Sequence, residues 1–477
     1  MTLSALALAV ALGRAPTSSP ASPSPLPNDL LAFQAASSTE SLALTLDLTR
    51  GVALTDQSTD KACRLKFAGL TRDRLPLLDP ILPDSLLPHL HWGQDGNDPV
   101  LEIPWTYRLP VHVRQEGLSP VRIMVTLDKL FTEVASQSVA PGLVHESWRR
   151  GTAAGPLSIH VLDVDLKVSG LRVAPVLAEG RDGHFGLEPV SKMTRRVGAA
   201  AAVNGTYFGW GGQPLGLLMI GGQLVSGPIF ARTTLALSGA HPFIERTALS
   251  AYLELPLGES LEVDGVNQPR WADMVAVYTD RNGKRTRTPA ATGSFEAAID
   301  AQGRVVATGS ADTEIPPGGF VVSTTGPSAP WLVGLLVPGA TASLHVPLSD
   351  YWEGVTEAIA GGPRLLSAGQ ITVNSDQERF PSDIAVGRAP RTAIGLKADG
   401  TLLIVTVDGR SPSHSIGLTL PETAQLLKEL GATEAMNLDG GGSTTLVLDQ
   451  KVQNRPSDGS ERPVSNALCV WTAPPAP

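Results

Sequence analysis

The sequence predicts an α+β fold, namely a strand-rich domain of mixed sheets with a few short helices, preceded by a small, mostly β module. Glycine and proline are abundant, with 48 and 39 of the 477 residues, which favours many strands and turns over long helices. Apolar and polar residues alternate in many short runs, as in half-buried strands. Hydrophobic residues make up 42% of the chain, which is enough for a large core and more than one domain.

Residues 1–30 are typical of an export signal followed by a linker. Leu3–Leu12 is apolar and Ala-rich, like the centre and cleavage site of a signal peptide, although no Lys or Arg precedes it. A frayed terminus is the alternative. Ala15–Pro27 is rich in Ala, Pro, Ser and Thr, which is typical of a flexible linker. No run is long and apolar enough to span a bilayer, so we expect a secreted, periplasmic or cell-envelope protein without a transmembrane span.

The region 40–140 predicts a separate, mostly β module of unknown role. Leu42–Leu48 and Val121–Leu127 alternate as strands do, and no catalytic constellation accompanies them. His89 and His91 stand two residues apart, but a loop with incidental histidines is the better interpretation because no third metal ligand is near.

Charge and cysteine content exclude several classes of protein. The formal net charge is −9 and no Lys/Arg cluster occurs, which excludes nucleic acid as a partner. Cys63 and Cys469 lack CxxC spacing, so the sequence carries no cysteine-based metal or redox motif. The two cysteines are either isolated thiols or a pair that joins the N- and C-terminal regions.

The region 142–473 predicts a second, larger domain. A capping box from Thr419 to Glu422 opens a helix over Glu422–Leu430, and Gly431 ends it. The remaining predicted elements are a strand in SIHVLDVDL, a helix over Val190–Val197, a strand over Ala199–Val203, a hairpin over 215–225 and a buried strand over Leu402–Val407. Asp408 and Asp439 therefore both lie just past strand ends.

The most informative stretch is Ala435–Leu448, in which Asn437 and Asp439 precede Gly440, Gly441, Gly442 and Ser443. Strand alternation places Asn437 and Asp439 on one face. The glycines allow a turn whose N–H groups can approach an anion. Asp439 is therefore a candidate acid/base, nucleophile or metal ligand; the alternative is an Asp that braces a glycine turn.

Further candidates for an anion site flank the strand Ala393–Leu396. Asp408 ends an apolar strand and is either a pocket carboxylate or part of an Asp-Gly turn, and Arg410 then pairs with it or binds an anion. Arg388 and Arg391 surround a proline, an arrangement that suits a phosphate or, alternatively, a surface loop paired with carboxylates.

The stretch that follows Val203 suits a sugar. The Asn204 amide can bind a hydroxyl group, and the ring of Tyr207 or Phe208 can stack on a sugar face, although Phe208 fits the core better. A serine nucleophile is poorly supported because Ser443 lies outside a G-x-S-x-G pattern.

In their order and spacing, eight blocks of this chain resemble the phosphodiester glycosidase family over residues 142–473. They are SIHVLDVDL, AAVNGTYF, LGLLMIGGQLVS, IAGGPRLL, RAPRTAIGLKADG, VTVDGR, GLTLPETAQLLKELGATEAMNLDGGGSTTLVL and RPVSNALCVW. The chain departs from the best-known member in having only two cysteines and no EGF-like module.

The resemblance implies hydrolysis of a sugar-1-phosphodiester at the anomeric carbon, and hence a carbohydrate-phosphate substrate. Asp439 and Asp408 are then the catalytic candidates, Arg391 with Arg410 or Arg388 holds the phosphate, and the amides of Asn204 and Asn437 orient the sugar. An envelope glycan or exopolysaccharide would supply the substrate. Two alternatives stay open: a non-catalytic glycan-binding protein, and a phosphodiesterase that cleaves P–O bonds with Ca²⁺ or Mg²⁺ held by the two aspartates and an asparagine.

Overall fold

A computed structural model describes residues 8–11, 28–76, 78, 86–87, 89–248, 250–347 and 352–472. Within these ranges the chain forms thirty-five β-strands and four short α-helices. The strand-rich architecture predicted from the sequence is confirmed. Most of the predicted signal-like segment and linker lies outside the described residues.

The chain divides into two compact units. The first comprises 1–134, 148–158 and 411–416, and the second comprises 135–147, 159–410 and 417–477.

The first nine strands form two antiparallel sheets in the first unit, with the strand orders β1-β2-β3-β9-β8 and β4-β5-β7-β6. Their bounds are β1 Leu8–Ala11, β2 Leu30–Ser37, β3 Ser41–Leu48, β4 Ala53–Asp56, β5 Ala62–Ala68, β6 His91–Asp95, β7 Asp98–Pro104, β8 Val111–Glu116 and β9 Val121–Asp128. Leu42, Leu44 and Leu46 alternate inward on β3 and join Leu65 and Ile103 in one core.

The next nine strands run along the chain to residue 246: β10 Phe131–Ala140, β11 Leu143–Thr152, β12 Gly155–Val164, β13 Arg172–Leu177, β14 Ala201–Asn204, β15 Leu218–Ile220, β16 Gln223–Ser226, β17 Thr233–Ser238 and β18 His241–Arg246. Strands β19 to β26 follow: Ala251–Glu254, Ser260–Val263, Gly265–Val266, Val275–Thr279, Phe295–Ile299, Val305–Gly309, Phe320–Thr324 and Ser343–His345. Strands β27 to β35 complete the fold: Glu357–Ala360, Arg364–Ser367, Gln370–Ile371, Arg391–Lys397, Leu402–Val407, Ala432–Asn437, Leu446–Leu448, Lys451–Val452 and Asn466–Trp471. The helices are α1 Val190–Val197, α2 Ser328–Leu335, α3 Ser382–Ala385 and α4 Leu420–Glu429.

Three sheets of the second unit share its main core. Their strand orders are β10-β11-β12-β31-β30-β32-β28-β29, β13-β35-β14-β33-β34 and β16-β15-β27-β17-β18. Buried Val203, Leu235, Ile394, Ile404 and Leu438 meet in this core. Two smaller sheets, β20-β19-β26 and β21-β22-β25-β23-β24, surround a second apolar cluster.

Strand register determines where the candidate carboxylates emerge. Strand β30 pairs antiparallel with β31 and with β32, so the last two run parallel and end at the same edge. Asp408 follows β31, and Asp439 follows β32 after one intervening residue. Two strand spacings separate the two chains, which is about 10 Å between backbones.

Local sequence signals account for the helices beside this edge. Thr419 caps α4 through the predicted capping box, since its side chain accepts the N–H of Glu422 and the Glu422 carboxylate accepts the N–H of Thr419.

None of the helices among the described residues is long and apolar enough to cross a membrane. Cys63 and Cys469 are both buried and are free thiols.

Candidate active site

Asp439 is half-buried at the edge where β32 ends. Its Oδ1 accepts the N–H of Gly440 at 2.9 Å, and its own N–H donates to the carbonyl of Gly205 at 3.2 Å. Burial raises the pKa of the carboxyl to about 6, although the Ser443 hydroxyl, the Gly440 N–H and the charge of Arg462 act in the opposite direction. The side chain therefore changes protonation close to neutral pH, as acid/base groups and nucleophiles do.

The glycine turn after Asp439 has no room for larger residues. Gly441 adopts a φ of 61°, and a Cβ on Gly440 would lie 2.8 Å from the carbonyl oxygen of Pro390. A Cβ on Gly442 would lie 2.1 Å from the guanidinium of Arg462. Glycine therefore allows a basic side chain and a neighbouring strand to approach the turn closely.

Tyr207 and Asn437 meet beside Asp439. The Asn437 amide donates to the Tyr207 hydroxyl at 2.9 Å, and that hydroxyl donates to the carbonyl of Gly362 at 3.0 Å. Burial and the Asp439 carboxylate raise the pKa of Tyr207, whereas the charges of Arg232 and Arg391 lower it. All three charged groups therefore lie close enough to act on one buried hydroxyl.

Arg232 is a buried cation without a hydrogen-bonded anion. Its residue is 7% exposed, and its Nε has no hydrogen-bond partner among the described residues. The Cζ atom instead lies over the rings of Phe380 at 4.1 Å and Tyr207 at 5.5 Å. Burial lowers the pKa of Arg232, whereas Tyr207 and the Glu378 carboxylate act in the opposite direction. A desolvated guanidinium that retains free N–H donors is a suitable ligand for a phosphate.

Arg391 is a second buried cation, but its N–H groups bind the backbone. Its Nε donates to the Leu418 carbonyl at 2.9 Å, and its terminal nitrogens donate to the carbonyls of Ile384 and Gly387 at 3.2 and 2.7 Å. Burial lowers its pKa too, and no carboxylate lies within 4 Å among the described partners. Its charge adds to that of Arg232 near Tyr207.

Glu378 supports the turn that carries the Gly362 carbonyl. This carboxylate is fully buried and accepts the N–H of Thr233 and the N–H of Arg364, each at 2.8 Å. A Cβ on Gly362, which has a φ of 98°, would lie 2.3 Å from it. Glu378 thus joins the start of β17, directly after Arg232, to the Gly-Gly-Pro turn.

Several buried polar atoms at this site have no hydrogen-bond partner among the described residues. They are Arg232 Nε, Asn437 Oδ1 and Thr206 Oγ1. Native proteins leave few such atoms unpaired, so a concentration of them marks a place where a polar ligand or water binds.

The Asn204 amide holds the loop after β32 in place. Its Nδ2 donates to the backbone carbonyl of Asp439 at 2.6 Å, while its Oδ1 accepts the Thr392 hydroxyl at 2.7 Å and the N–H of Thr445 at 3.2 Å. Asn204 is fully buried, and these bonds occupy most of its capacity.

Asp408 lies in a different environment from Asp439. It is 2% exposed, and its oxygens accept the amide of Asn454 at 2.9 Å and the N–H of Arg455 at 3.0 and 3.1 Å. Asn454 in turn donates to the carbonyl of Thr444 at 3.1 Å. Asp408 therefore holds the 444–455 segment in place through hydrogen bonds.

The remaining predicted arginines, Arg388 and Arg410, are exposed and lie in different places. Arg388 forms a two-point ion pair with Glu422 of α4, with N–O distances of 2.8 and 2.5 Å. Arg410 is exposed, lies 3.9 Å from Asp458 and would lie 3.0 Å from a Cβ on Gly441. Arg410 thus lies beside the glycine turn, whereas Arg388 is paired with a helix.

Sequence reasoning missed Arg232 and Glu378. Each lies in a stretch without a recognisable motif, and only the tertiary fold brings them to Tyr207. The one available signal at Arg232 is a lone cation directly before an apolar strand. Among the described residues, no group of three or more His, Cys, Asp or Glu side chains is arranged to hold a metal ion.

The fold and the site together define a strand-rich protein whose candidate site combines a carboxyl group of raised pKa with the buried arginines Arg232 and Arg391. Residues 293–471 match the family model described as phosphodiester glycosidase. The resemblance to this family that we identified from the sequence is confirmed.

Two curated relatives and one solved structure are similar to this chain. A mouse N-acetylglucosamine-1-phosphodiester alpha-N-acetylglucosaminidase is 34% identical over 134 residues, which are 26% of this chain and 25% of that protein. The SPbeta prophage-derived uncharacterized protein YomE of Bacillus subtilis is 46% identical over 81 residues, which are 17% of this chain and 12% of that protein. This chain therefore spans only 12% to 25% of these curated relatives. The crystal structure of a hypothetical protein from Synechocystis shares the fold, with a TM-score of 0.66 and 21% identity over 94% of this chain and 81% of that one.

Proposed function

We propose that this protein hydrolyses a sugar-1-phosphodiester at the anomeric carbon. The observation that carries the proposal is that Asp439, a half-buried carboxyl of raised pKa, and Arg232, whose buried Nε has no hydrogen-bond partner among the described residues, both act on Tyr207. A site that holds a carboxylate and a desolvated cation suits a substrate with an electrophilic carbon next to a phosphate. The family match supports the same chemistry.

In this reaction the bond between the anomeric carbon and the phosphate oxygen breaks. The leaving group is a phosphate monoester, a stable anion that needs little protonation, and its charge is stabilised by Arg232 with the field of Arg391. The ionised Asp439 carboxylate stabilises the oxocarbenium-like carbon, and water supplies the hydroxyl of the free sugar. The unpaired Oδ1 of Asn437 is then an acceptor for a sugar hydroxyl.

The roles of the other predicted residues follow from their contacts. We assign Asn204 and Asp408 to positioning the loops around residues 439 and 454, since their polar atoms bind protein groups. The prediction that Asp408 is a second catalytic carboxylate stays a prediction that mutagenesis can decide. Arg410, Ser443 and the glycine N–H groups contribute to the polar surface beside Asp439.

Hydrolysis in ¹⁸O-labelled water tests the proposal directly. We expect the label in the sugar hydroxyl and none in the phosphate. Label in the phosphate would identify a phosphodiesterase that cleaves P–O bonds, and binding without turnover of a panel of sugar-1-phosphodiesters would identify a glycan-binding protein. Activity that disappears with EDTA and returns with Ca²⁺ or Mg²⁺ would add a metal to the mechanism.

We further propose that the domain over 142–473 carries this α+β catalytic fold, and that the small β module over 40–140 attaches it to an envelope glycan. The apolar Leu3–Leu12 supports export to the cell envelope or beyond. The substrate would then be a phosphodiester-linked sugar of an envelope glycan or exopolysaccharide. A fusion of residues 1–30 to an enzyme that is active only outside the cytoplasm tests the export. Activity of this reporter enzyme in growing cells would show that residues 1–30 direct it out of the cytoplasm.

A further inference from the structure

A cavity of about 480 Å³ lies in the second unit, where strands β13 and β35 meet strands β15, β16 and β27. Its volume falls within the range of small-molecule sites. The charged part of its wall includes Arg172, Arg196, Arg281 and Glu357. We call this space the β13 cavity.

Strand register places the β13 cavity at the end of the core remote from the candidate active site. Trp471 lines the cavity, whereas Ala467, four residues earlier in β35, pairs with Asn204 of the site. Glu357 lines the cavity at the start of β27, and the chain reaches the Gly362 carbonyl of the site five residues later. Four residues of extended strand span about 13 Å, so the cavity is a separate space.

Glu357 is a buried carboxyl group in the wall of the β13 cavity. The residue is 9% exposed, and its Oε2 has no hydrogen-bond partner among the described residues. Burial raises the pKa of the carboxyl, although the N–H of Gly221 and the charge of Arg172 act in the opposite direction. An ionised carboxylate in such surroundings is destabilised until a cation pairs with it, so an ammonium group would be a stabilising partner.

Arg172 is a cation that is held in place by an aromatic ring. Its Cζ lies 4.2 Å from the centre of the Trp471 ring, and the Trp471 Nε1 donates to the Val197 carbonyl at 3.0 Å, which fixes the ring. The Arg172 side chain forms no hydrogen bond or salt bridge within the part of the chain that the structure describes. Its guanidinium can therefore receive a carboxylate through two parallel N–H groups.

The other cations of the wall differ in their pairing. Arg196 donates to the Glu188 carboxylate at 2.9 Å and to the Leu177 carbonyl at 2.7 Å, so its charge is compensated. Arg281 is exposed, and its guanidinium has no such partner among the residues that the structure describes. Arg281 therefore adds uncompensated positive charge to the cavity.

Much of the remaining wall is apolar. It includes the branched aliphatic side chains of Val176, Leu177, Val197, Ile220 and Val225. Arg172 and Glu357 act on each other electrostatically, yet no salt bridge joins them among the described residues. Unpaired charges of opposite sign beside an aliphatic wall are complementary to a zwitterion with an apolar body.

We propose that the β13 cavity binds such a zwitterion, namely an α-amino acid or a short peptide with an aliphatic side chain. Its carboxylate pairs with Arg172, its ammonium group pairs with Glu357, and its side chain packs on the aliphatic wall. A simple anion would be repelled by Glu357 and a simple cation by Arg172, so both are poorer ligands. Binding at this cavity is separate from the proposed hydrolysis.

Calorimetric titration of the full chain with L-leucine and three analogues tests the proposal. N-Acetylleucine lacks the ammonium charge, leucinamide lacks the carboxylate, and glycine lacks the apolar side chain. We expect leucine, or leucyl-leucine if the ligand is a peptide, to bind, and each analogue to bind at least about tenfold more weakly because it loses one charged or apolar contact. Titration at two temperatures detects binding whose heat is close to zero at one of them.

Two substitutions assign the charges of the ligand to the two side chains. Arg172→Met should remove the preference for leucine over leucinamide and keep the preference over N-acetylleucine, and Glu357→Gln should do the reverse. Arg195→Met and Glu262→Gln are the matched controls, because both side chains are exposed, on α1 and β20 respectively. The controls should change neither preference.

The proposal is overturned if neither leucine nor leucyl-leucine binds, or if a singly charged analogue binds as tightly as leucine. Preferences that Arg172→Met and Glu357→Gln leave unchanged would overturn it as well. If a variant does not fold, the analogue series on the wild-type protein still decides. The titrations need no turnover, so a failure of the proposed hydrolysis and a failure of this site are distinguishable.

Discussion

Replacement of Asp439 by Asn is expected to abolish activity and to make the protein more stable at neutral pH. Asn preserves the shape of the side chain and an oxygen for the Gly440 N–H, but it removes the charge. Since burial raises the pKa of the carboxyl from 3.8 to about 6, the folded state binds this proton more tightly than the unfolded state. The contribution of Asp439 to stability therefore decreases as the pH rises from about 4 to about 6 and is an unfavourable constant above that range.

The magnitude follows from the size of the pKa difference. A shift from 3.8 to about 6 corresponds to about 3 kcal/mol for a fully desolvated group. Because Asp439 is only half-buried, we expect a gain in the free energy of unfolding of about 1–3 kcal/mol at neutral pH. Well below pH 3.8 the variant and the wild type should be equally stable.

Urea unfolding of the full chain at low and at neutral pH measures this difference, and turnover of a sugar-1-phosphodiester measures activity. We expect turnover to decrease by at least about 10³-fold. Asp449→Asn is the matched control, since Asp449 is exposed directly after β33 and should change neither quantity. A variant that is less stable at neutral pH, or that retains activity while folded, would refute the assignment of Asp439 as a charged catalytic group.

The remaining predictions concern the pH profile and substitutions at Arg232, Asp408 and Gly442. Because the ionised carboxylate is the active form, kcat/KM should rise with pH through a limb near 6, and a profile that decreases there would instead identify a general acid. Arg232→Met should lower kcat/KM by about 10²–10³-fold, since it removes a transition-state contact, and a folded variant with unchanged kcat/KM would remove Arg232 from the mechanism. Asp408→Asn should lower the free energy of unfolding by about 1–3 kcal/mol, because the new amide N–H groups would face the N–H donors of Asn454 and Arg455. A loss of kcat larger than the loss of folded protein would show that Asp408 takes part in the reaction. The charge of Arg462 lowers the pKa of Asp439, and Gly442→Ala should displace Arg462. We therefore expect the rising limb of the kcat/KM profile to move to higher pH, and an unchanged limb would show that Arg462 does not act on Asp439.

Local signals made the elements around the site predictable. The capping box that opens α4 depends on two side chains three residues apart, and the short, mostly apolar run of β31 favours a buried strand. The position of Asp439 just past a strand followed from the glycines that come after it. Signals of this kind act over a few residues, so a single sequence carries them in full.

The other half of the site depends on contacts between distant segments. Arg232 becomes a buried, unpartnered cation only because Phe380 and Tyr207 pack around it. In the sequence, Arg388 is as suitable for a phosphate as Arg391, and only the fold shows that Arg388 pairs with the Glu422 carboxylate. Burial and pairing decide the chemistry of an arginine, and neither can be determined from its neighbours in sequence.

The hydrogen bonds of Asn204 have a consequence for any attempt to shorten this protein. The segment that matches the family begins at residue 293, yet the amide that holds the Asp439 backbone comes from β14, and Tyr207 and Arg232 also precede that segment. A C-terminal fragment would retain the Asp439 carboxyl without the groups that fix its position and provide its charged surroundings. The groups of the proposed catalytic site thus come from two remote stretches of chain, and we expect activity only once both have assembled.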